Sequence, residues 1–511
     1  MSVAELPWAS QSPVPLLALL QLLPAVAALL LVFLRRERVV RGVALGAALA
    51  ELLLSWHLYR VFDAGRPGLQ LVERAVLFGP VGYHAGADGV TVLFLLLTAF
   101  ISVMVVLYGL IRRFEPEWRY FAVVLASQAA VTSQFCSVDM LWFMLLSAAQ
   151  VWLAGELLRN WSTSPEGESV VSRFYQFMGV GLLLLLGGLS MMGWQHADAT
   201  GGQWTFDAVD LATNPVPEVF QSAIFYLLFY GLAIRIPLFP LHGWLPVTAE
   251  HGTLATALVF LLGLKTGVYG LLRFVFPLLP EAVWQWHGYA VAFAAAGIFY
   301  AALLALMQKN LRRLLAYAVV SHTSVLVIGL FSLTGQAFQG SAILAVNFGL
   351  AAAGLLLMTG LVFQRTGTVM LAKLGGLWDR LPLIAIAFLV AGLAIVGMPG
   401  TPGFDAAHLM LESAIQRFGA LVTIAAALGN VAAAGFLLWA FERAFLRASP
   451  SEAGRQKVLP RATRLEAVLA SSLIIVQLSA GFFSEPWLKL VETSTRSLGA
   501  RYEHLIGERG E

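Results

Sequence analysis

Charge is what this 511-residue sequence has least of. Asp, Glu, Lys and Arg make up 12% of it, against about 25% in an average soluble domain. That deficit excludes a soluble globular enzyme of ordinary type. Lys plus Arg (32) and Asp plus Glu (29) leave a net charge of +3, too near zero to point to a nucleic-acid partner. A single cysteine, Cys136, excludes a disulfide framework, an iron–sulfur site and a Cys-based zinc site. The chain carries no Gly-rich phosphate loop, His/Cys metal cluster or nucleophile triad, so no cofactor or metal is expected. A cleavable signal is also missing. The first apolar run begins only after Pro13, with Glu5 and no basic residue ahead of it, and reads as a span that stays in the membrane.

What the sequence has instead is apolar length, with 59% hydrophobic residues. Runs long enough to cross roughly 30 Å of hydrocarbon as helix recur near 14–34, 40–59, 88–110, 120–138, 139–158, 175–195, 218–240, 254–276, 287–307, 314–334, 340–363, 382–404, 418–441 and 465–487. The expected class is an all-α polytopic membrane protein of about fourteen helices. Basic residues test that count. They collect after odd-numbered spans: Arg35, Arg36, Arg38 and Arg41; Arg112, Arg113 and Arg119; Arg159 and Arg173; Lys309, Arg312 and Arg313; Arg365, Lys373 and Arg380; and Arg443 to Arg464, with Arg455 and Lys457 between. By the positive-inside rule those loops are cytoplasmic and both termini lie outside.

Two cations fall inside spans, Arg235 and Lys265. Each costs at least about 2.5–3.5 kcal/mol facing lipid at mid-membrane, so both are expected to face protein or water. Paired prolines interrupt two spans, Pro237 and Pro240 in the seventh, Pro399 and Pro402 in the twelfth. Proline removes an amide donor and clashes with the preceding turn, so these helices break. Broken backbone survives in a membrane only inside protein or along a hydrated path. The odd offset between the breaks gives two units of opposite orientation, an inverted repeat. The alternative is a pair of plain kinks at helix ends. The expected division is one integral membrane domain over 1–511: N-terminal helices 1–115, a first five-helix repeat 116–277, a second 284–445, and a C-terminal helix and tail 460–511.

Four segments resemble a known family. They are Tyr83-His84-Ala-Gly-Ala-Asp88-Gly89, Pro240-Leu-His242-Gly-Trp244-Leu-Pro246, Leu264-Lys265-Thr-Gly-Val-Tyr269-Gly270-Leu-Leu-Arg273-Phe, and Asn310-Leu-Arg312-Arg313-Leu-Leu-Ala-Tyr317 with Ser321-His322. Together with Gly397-Met-Pro399-Gly400-Thr401 they are similar to the antiporter-like subunits of respiratory complex I, in particular the M type of bacterial NADH:quinone oxidoreductase. The resemblance implies a proton-translocating membrane subunit, coupled to quinone reduction in other subunits, with no redox site or cofactor of its own. Its implied partners are lipid, protons and the other membrane subunits of such an assembly. Its implied place is a bacterial cytoplasmic membrane.

In that family a Lys on the broken seventh helix is tuned by a Glu on the fifth, and a Lys on the eighth passes protons on. Lys265 matches the eighth-helix position, as a proton relay or as a static packing cation. His322 matches another family position, as a proton shuttle or a satisfied core histidine. His242 matches a loop histidine with a structural role. This chain departs from the pattern at Arg235, which replaces the seventh-helix Lys and does not readily give up its proton; at Ala148, where the fifth-helix Glu is expected; at Ala407, where a twelfth-helix Glu is usual; and at Asn347-Phe348, where a histidine is usual. Two readings stay open. The route is rebuilt, with Arg235 answering Glu156 or Asp139 and with Asp405, His408 or Glu412 replacing the lost acid. Or the subunit no longer pumps and serves in a related ion or inorganic-carbon uptake complex with a soluble partner. Glu51 and His57, in the second span, are assigned to packing or a lipid edge. Asp88 is expected to start a helix.

Overall fold

The computed structural model of the chain describes residues 4–78, 81–164, 166–252, 259, 265–448 and 460–509. Helices dominate it. They are α1 (Leu16–Phe33), α2 (Glu37–Val61), α3 (Gly89–Arg112), α4 (Glu117–Cys136), α5 (Met140–Asn160), α6 (Gly167–Ala199) and the short α7 (Ala208–Thr213). There follow α8 (Glu218–Arg235), α9 (Leu245–His251), α10 (Thr266–Leu278), α11 (Pro280–Leu306), α12 (Leu311–Leu330) and α13 (Gly335–Thr366). The chain finishes with α14 (Pro382–Val396), α15 (Gly403–Phe441), α16 (Arg464–Phe482) and α17 (Glu485–Arg509).

Ten helices among the described residues are long and apolar enough to cross a membrane, and α10 and α14 are shorter apolar helices. The protein is an all-α polytopic membrane protein. Two helices at expected spans, α4 and α8, are more polar, and burial explains it. Along the second half of α4 the polar residues Ser127, Gln128, Thr132, Ser133 and Gln134 are all buried in the protein. The expected eighth span lies partly outside the described residues, as do Leu264, Arg455 and Lys457; its described part is α10.

Both proline pairs end helices where expected. α8 stops at Arg235, ahead of Pro237 and Pro240, and helix resumes at Leu245. α14 stops at Val396, and α15 starts just after Pro402. α15 is itself interrupted at Gly419, whose φ of 75° only glycine adopts at little cost. Beyond it the chain runs back along α14, since Gly392 faces Leu437 and Phe388 faces Phe445.

The loops between helices gather on two faces. One is basic, and contacts tie its loops together: Arg41 to Glu117 (2.6 Å), Arg119 to Glu156 (2.8 Å) and Arg313 to Glu250 (2.9 Å). The other carries a small sheet that the apolar pattern did not announce. β2 (Leu69–Phe78) pairs antiparallel with β3 (Val81–Ala87), and β1 (Glu5–Pro7) adds to β2 in parallel. The same face carries α17, which the sequence reading left as a tail. It docks by the Ser494 hydroxyl accepting from the Gly89 amide (3.1 Å) and by Tyr502 donating to the Phe276 carbonyl (2.7 Å). Gly499 lies directly against Gly335.

Candidate functional site

The sequence motifs divide into latches and a buried polar centre. Asp88 caps α3 through the Thr91 amide (2.8 Å) and takes Arg273 on its other oxygen (2.9 Å). Tyr269, one turn before Arg273, hydrogen-bonds Thr91 (2.9 Å) and donates to the Phe135 carbonyl. Two motifs thus hold each other where α3 meets α10. On the basic face Asn310 caps α12, Arg312 donates to Thr163 (2.8 Å) and to the Glu250 carbonyl (3.0 Å), and Arg313 pairs with the Glu250 carboxylate. These charges hold helix ends together; they do not line a path.

Between the latches, the break after α8 and the start of α10 hold a row of polar side chains inside the protein. Gln134 on α4 accepts from Ser147 (3.2 Å) and donates to Gln150 on α5 (3.1 Å). The same Gln150 oxygen accepts from Arg235, whose guanidinium also donates to Thr266 (3.1 Å). Next to Thr266, Lys265 donates from Nζ to Thr323 on α12 (2.9 Å). Arg235 and Lys265 are 7% and 5% exposed, as the cost of a cation facing lipid requires. Lys265 has φ 48° and ψ 38°, the left-handed region that costs a non-glycine residue about 1–3 kcal/mol and collects at functional positions. That backbone opens α10 with the side chain aimed across at α12.

His322 adjoins Thr323. It is fully enclosed, neither ring nitrogen has a hydrogen-bond partner among the described residues, and its ring lies 5.1 Å from that of Phe348. Next to Phe348, Asn347 donates to the Ala394 carbonyl (2.7 Å), three residues before the second break. His242 lies in the first break, enclosed by the rings of Tyr300 (5.4 Å) and Tyr317 (6.2 Å).

The structure does not bring the remaining candidates to this row. Glu156 is held at the basic face by Arg119 and Arg159, and Asp139 caps α5 at the sheet face through the Trp142 amide (2.7 Å). Arg235 therefore answers neither; its partner is the neutral Gln150, about half a turn beyond Ala148. His408 and Glu412 lie on the exposed side of α15 in the isolated chain, while Ala406, Ala407 and Met410 face inward. Asp405 accepts from Ser484, ahead of α17. The polar amides Gln134 and Gln150 went unremarked in the sequence, although two glutamines inside apolar spans are the signal that finds them.

At the sheet face a separate cluster joins β3 to the segment before α7. His84 Nδ1 contacts Asp207, its Nε2 lies 3.5 Å from Glu5, and Arg74 binds Glu5 at 2.7 Å. Burial pushes the Asp207 carboxyl up, but the His84 contact, the Val209 amide and Arg74 outweigh it and hold the group below its ordinary value. Glu73 goes the other way. Burial raises it, although the Leu17 and Ala18 amides and Tyr83 all donate to it.

Residues 139–433, which include the polar row from Gln150 to Asn347 but not Gln134, match the family described as NADH:quinone oxidoreductase/Mrp antiporter, TM. The chain belongs to this family. It is 30% identical to NADH-ubiquinone oxidoreductase chain 4 of Arabidopsis thaliana over 83% of this chain and 85% of that protein. It is 29% identical to NADH-quinone oxidoreductase subunit M of Escherichia coli K12 over 82% of each. Among solved structures it superposes on a chain of respiratory complex I from Thermus thermophilus at TM-score 0.82 and 28% identity, covering 94% of this chain and 99% of that one.

Proposed function

We propose that this chain is the M-type, proton-translocating subunit of an NADH:quinone oxidoreductase assembly, coupled to redox chemistry in other subunits. The observation that carries the reading is the buried row running from Gln150 through Arg235 and Thr266 to Lys265, Thr323 and His322. It is set at a broken helix in the middle of a polytopic membrane protein. Lys265 is the proton carrier. It is a compact ammonium, fully enclosed, with a hydroxyl acceptor and an unpartnered imidazole one residue away. Arg235 sets a fixed positive field beside it and does not relay, since a guanidinium keeps its proton.

The two helix breaks, at 236–244 and 397–402, support the reading of two inverted five-helix repeats over 116–277 and 284–445. The basic loops support the reading that their face lies in the cytoplasm at a bacterial inner membrane, with both termini outside. One observation favours a second reading. Gln150 is neutral where an acid would modulate the cation, and His408 and Glu412 face outward, as suits a subunit that no longer pumps and energises an ion or inorganic-carbon uptake complex with a soluble partner. Co-purification separates the two: quinone-oxidoreductase subunits support the first, a soluble zinc protein the second.

The test is proton flux in proteoliposomes of the purified native complex, wild type against Lys265→Ala. Loss of flux with the assembly intact is expected. Unchanged flux overturns the pumping reading.

A further inference from the structure

The inward residues of α2 are Val40, Ala44, Ala48, Glu51, Ser55 and Leu58. They are spaced three and four apart and so share one face. Its other face shows Leu49, Leu53 and Trp56 to the outside. Glu51, 1% exposed, therefore points into the protein from a helix at the protein's edge. It was assigned to packing on sequence grounds, but the facing helix argues otherwise. The Thr132 hydroxyl of α4 donates to Glu51 Oε1 at 3.4 Å, while Oε2 has no hydrogen-bond partner among the described residues. One turn before Thr132, Gln128 is fully buried, with neither amide atom hydrogen-bonded among the described residues.

Among the described residues no ion pair reaches Glu51. The nearest titratable group along α4 is the Cys136 thiol, a turn past Thr132. Arg41, paired with Glu117 at the basic face (2.6 Å), is about 15 Å away along the helix axis, roughly half the hydrocarbon thickness. An ionised carboxylate so placed costs several kcal/mol with no cation to offset it, and native proteins do not leave buried polar atoms idle without a reason. Between Arg41 and Glu51 the inward face of α2 carries only the small Ala44 and Ala48.

We propose that Glu51 is a proton-binding site of this protein, a mid-membrane carboxylic acid that exchanges its proton with the basic face along the seam between α2 and α4. It is separate from the row at Arg235, which lies on the other side of α4 with Gln134. The exchange is a proton transfer only, acid to carboxylate and back, with the Thr132 hydroxyl beside the carboxyl.

This rests on the proton-translocating reading, and the test separates the two. Glu51→Gln keeps the size and the Thr132 contact, so a packing role survives it; Lys265→Ala runs in parallel. In the native complex, proton flux per electron pair and the infrared carboxylic C=O band are measured for each. Expected for Glu51→Gln is loss of one protonated-carboxyl band together with lowered flux. Glu51→Asp retains the acid, shifts the band and recovers flux. The proposal is overturned if Glu51→Gln leaves the band in place, or if its flux equals wild type. Wild-type flux in Glu51→Gln with loss in Lys265→Ala sinks Glu51 alone. Wild-type flux in both sinks the parent reading as well.

Discussion

The pairing of Arg235 with Gln150 predicts a thermodynamic cycle with a definite sign. Gln150→Leu removes the amide oxygen that accepts from the guanidinium and from Gln134. Breaking a buried charged contact from one side costs about 3–5 kcal/mol. Arg235 keeps its bond to Thr266, so the expectation falls nearer 2–3 kcal/mol, the worth of one hydrogen bond to a charged group. An unfolding entropy of about 2 cal/mol/K per residue amounts to about 1 kcal/mol/K for a chain of this length. The melting temperature should then fall by about 2–3 °C. Differential scanning fluorimetry of the detergent-solubilised complex reads this, in Gln150→Leu, Arg235→Met and the double variant. Once both partners are apolar no charge is stranded, so the double variant should melt within about 1 °C of wild type. If the double variant instead falls by the sum of the singles, the two residues are not coupled and the pairing is not what keeps Arg235 buried.

Gly89→Ala should undock α17, because a Cβ there would sit 1.8 Å from the Leu490 carbonyl oxygen. Limited proteolysis should then clip the C-terminal helix in the variant and spare it in wild type, and equal resistance would refute the docking. Acid should expose the Asp207 contact. Its depressed carboxyl contributes stability that is full above the ordinary value of about 3.9 and lost as pH falls through the folded value. Asp207→Asn should therefore lose less melting temperature than wild type on acidification from pH about 6 to about 3, and parallel curves would refute it. Glu73, held above its ordinary value, works in the opposite sense: its contribution is present at low pH and lost as pH rises through its folded value. The Asp207 comparison is made against that shared background.

Some of the site was legible without coordinates because membrane physics leaves few choices. Arg235 and Lys265 stood out as cations inside apolar spans, and both are buried. Asp88, followed by glycine at the start of an apolar run, was readable as a cap because a cap is a local device. Gln150 and Glu51 were not readable. On one helix Glu51 and His57 look unrelated, and only the neighbouring α4 shows that Glu51 meets Thr132, one turn from Gln128. The acid proposed for Arg235 was sought along the chain in Glu156 and Asp139, but helix ends hold both.

The span pattern, the helix breaks at Pro237, Pro240, Pro399 and Pro402, and the segregation of basic loops are all written in the chain itself. Each follows from burial cost, missing amide donors or charge placement, which act within a single segment. Which polar groups meet depends on how the helices pack. The tertiary structure set Gln150 against Arg235, turned His408 and Glu412 outward, folded β2 onto β3 and laid α17 over Gly89 and Gly335. The physical reason is that hydrogen bonds in a membrane interior are made between helices far apart in sequence. A helix's own periodicity shows which face is buried but leaves open which neighbour that face will find.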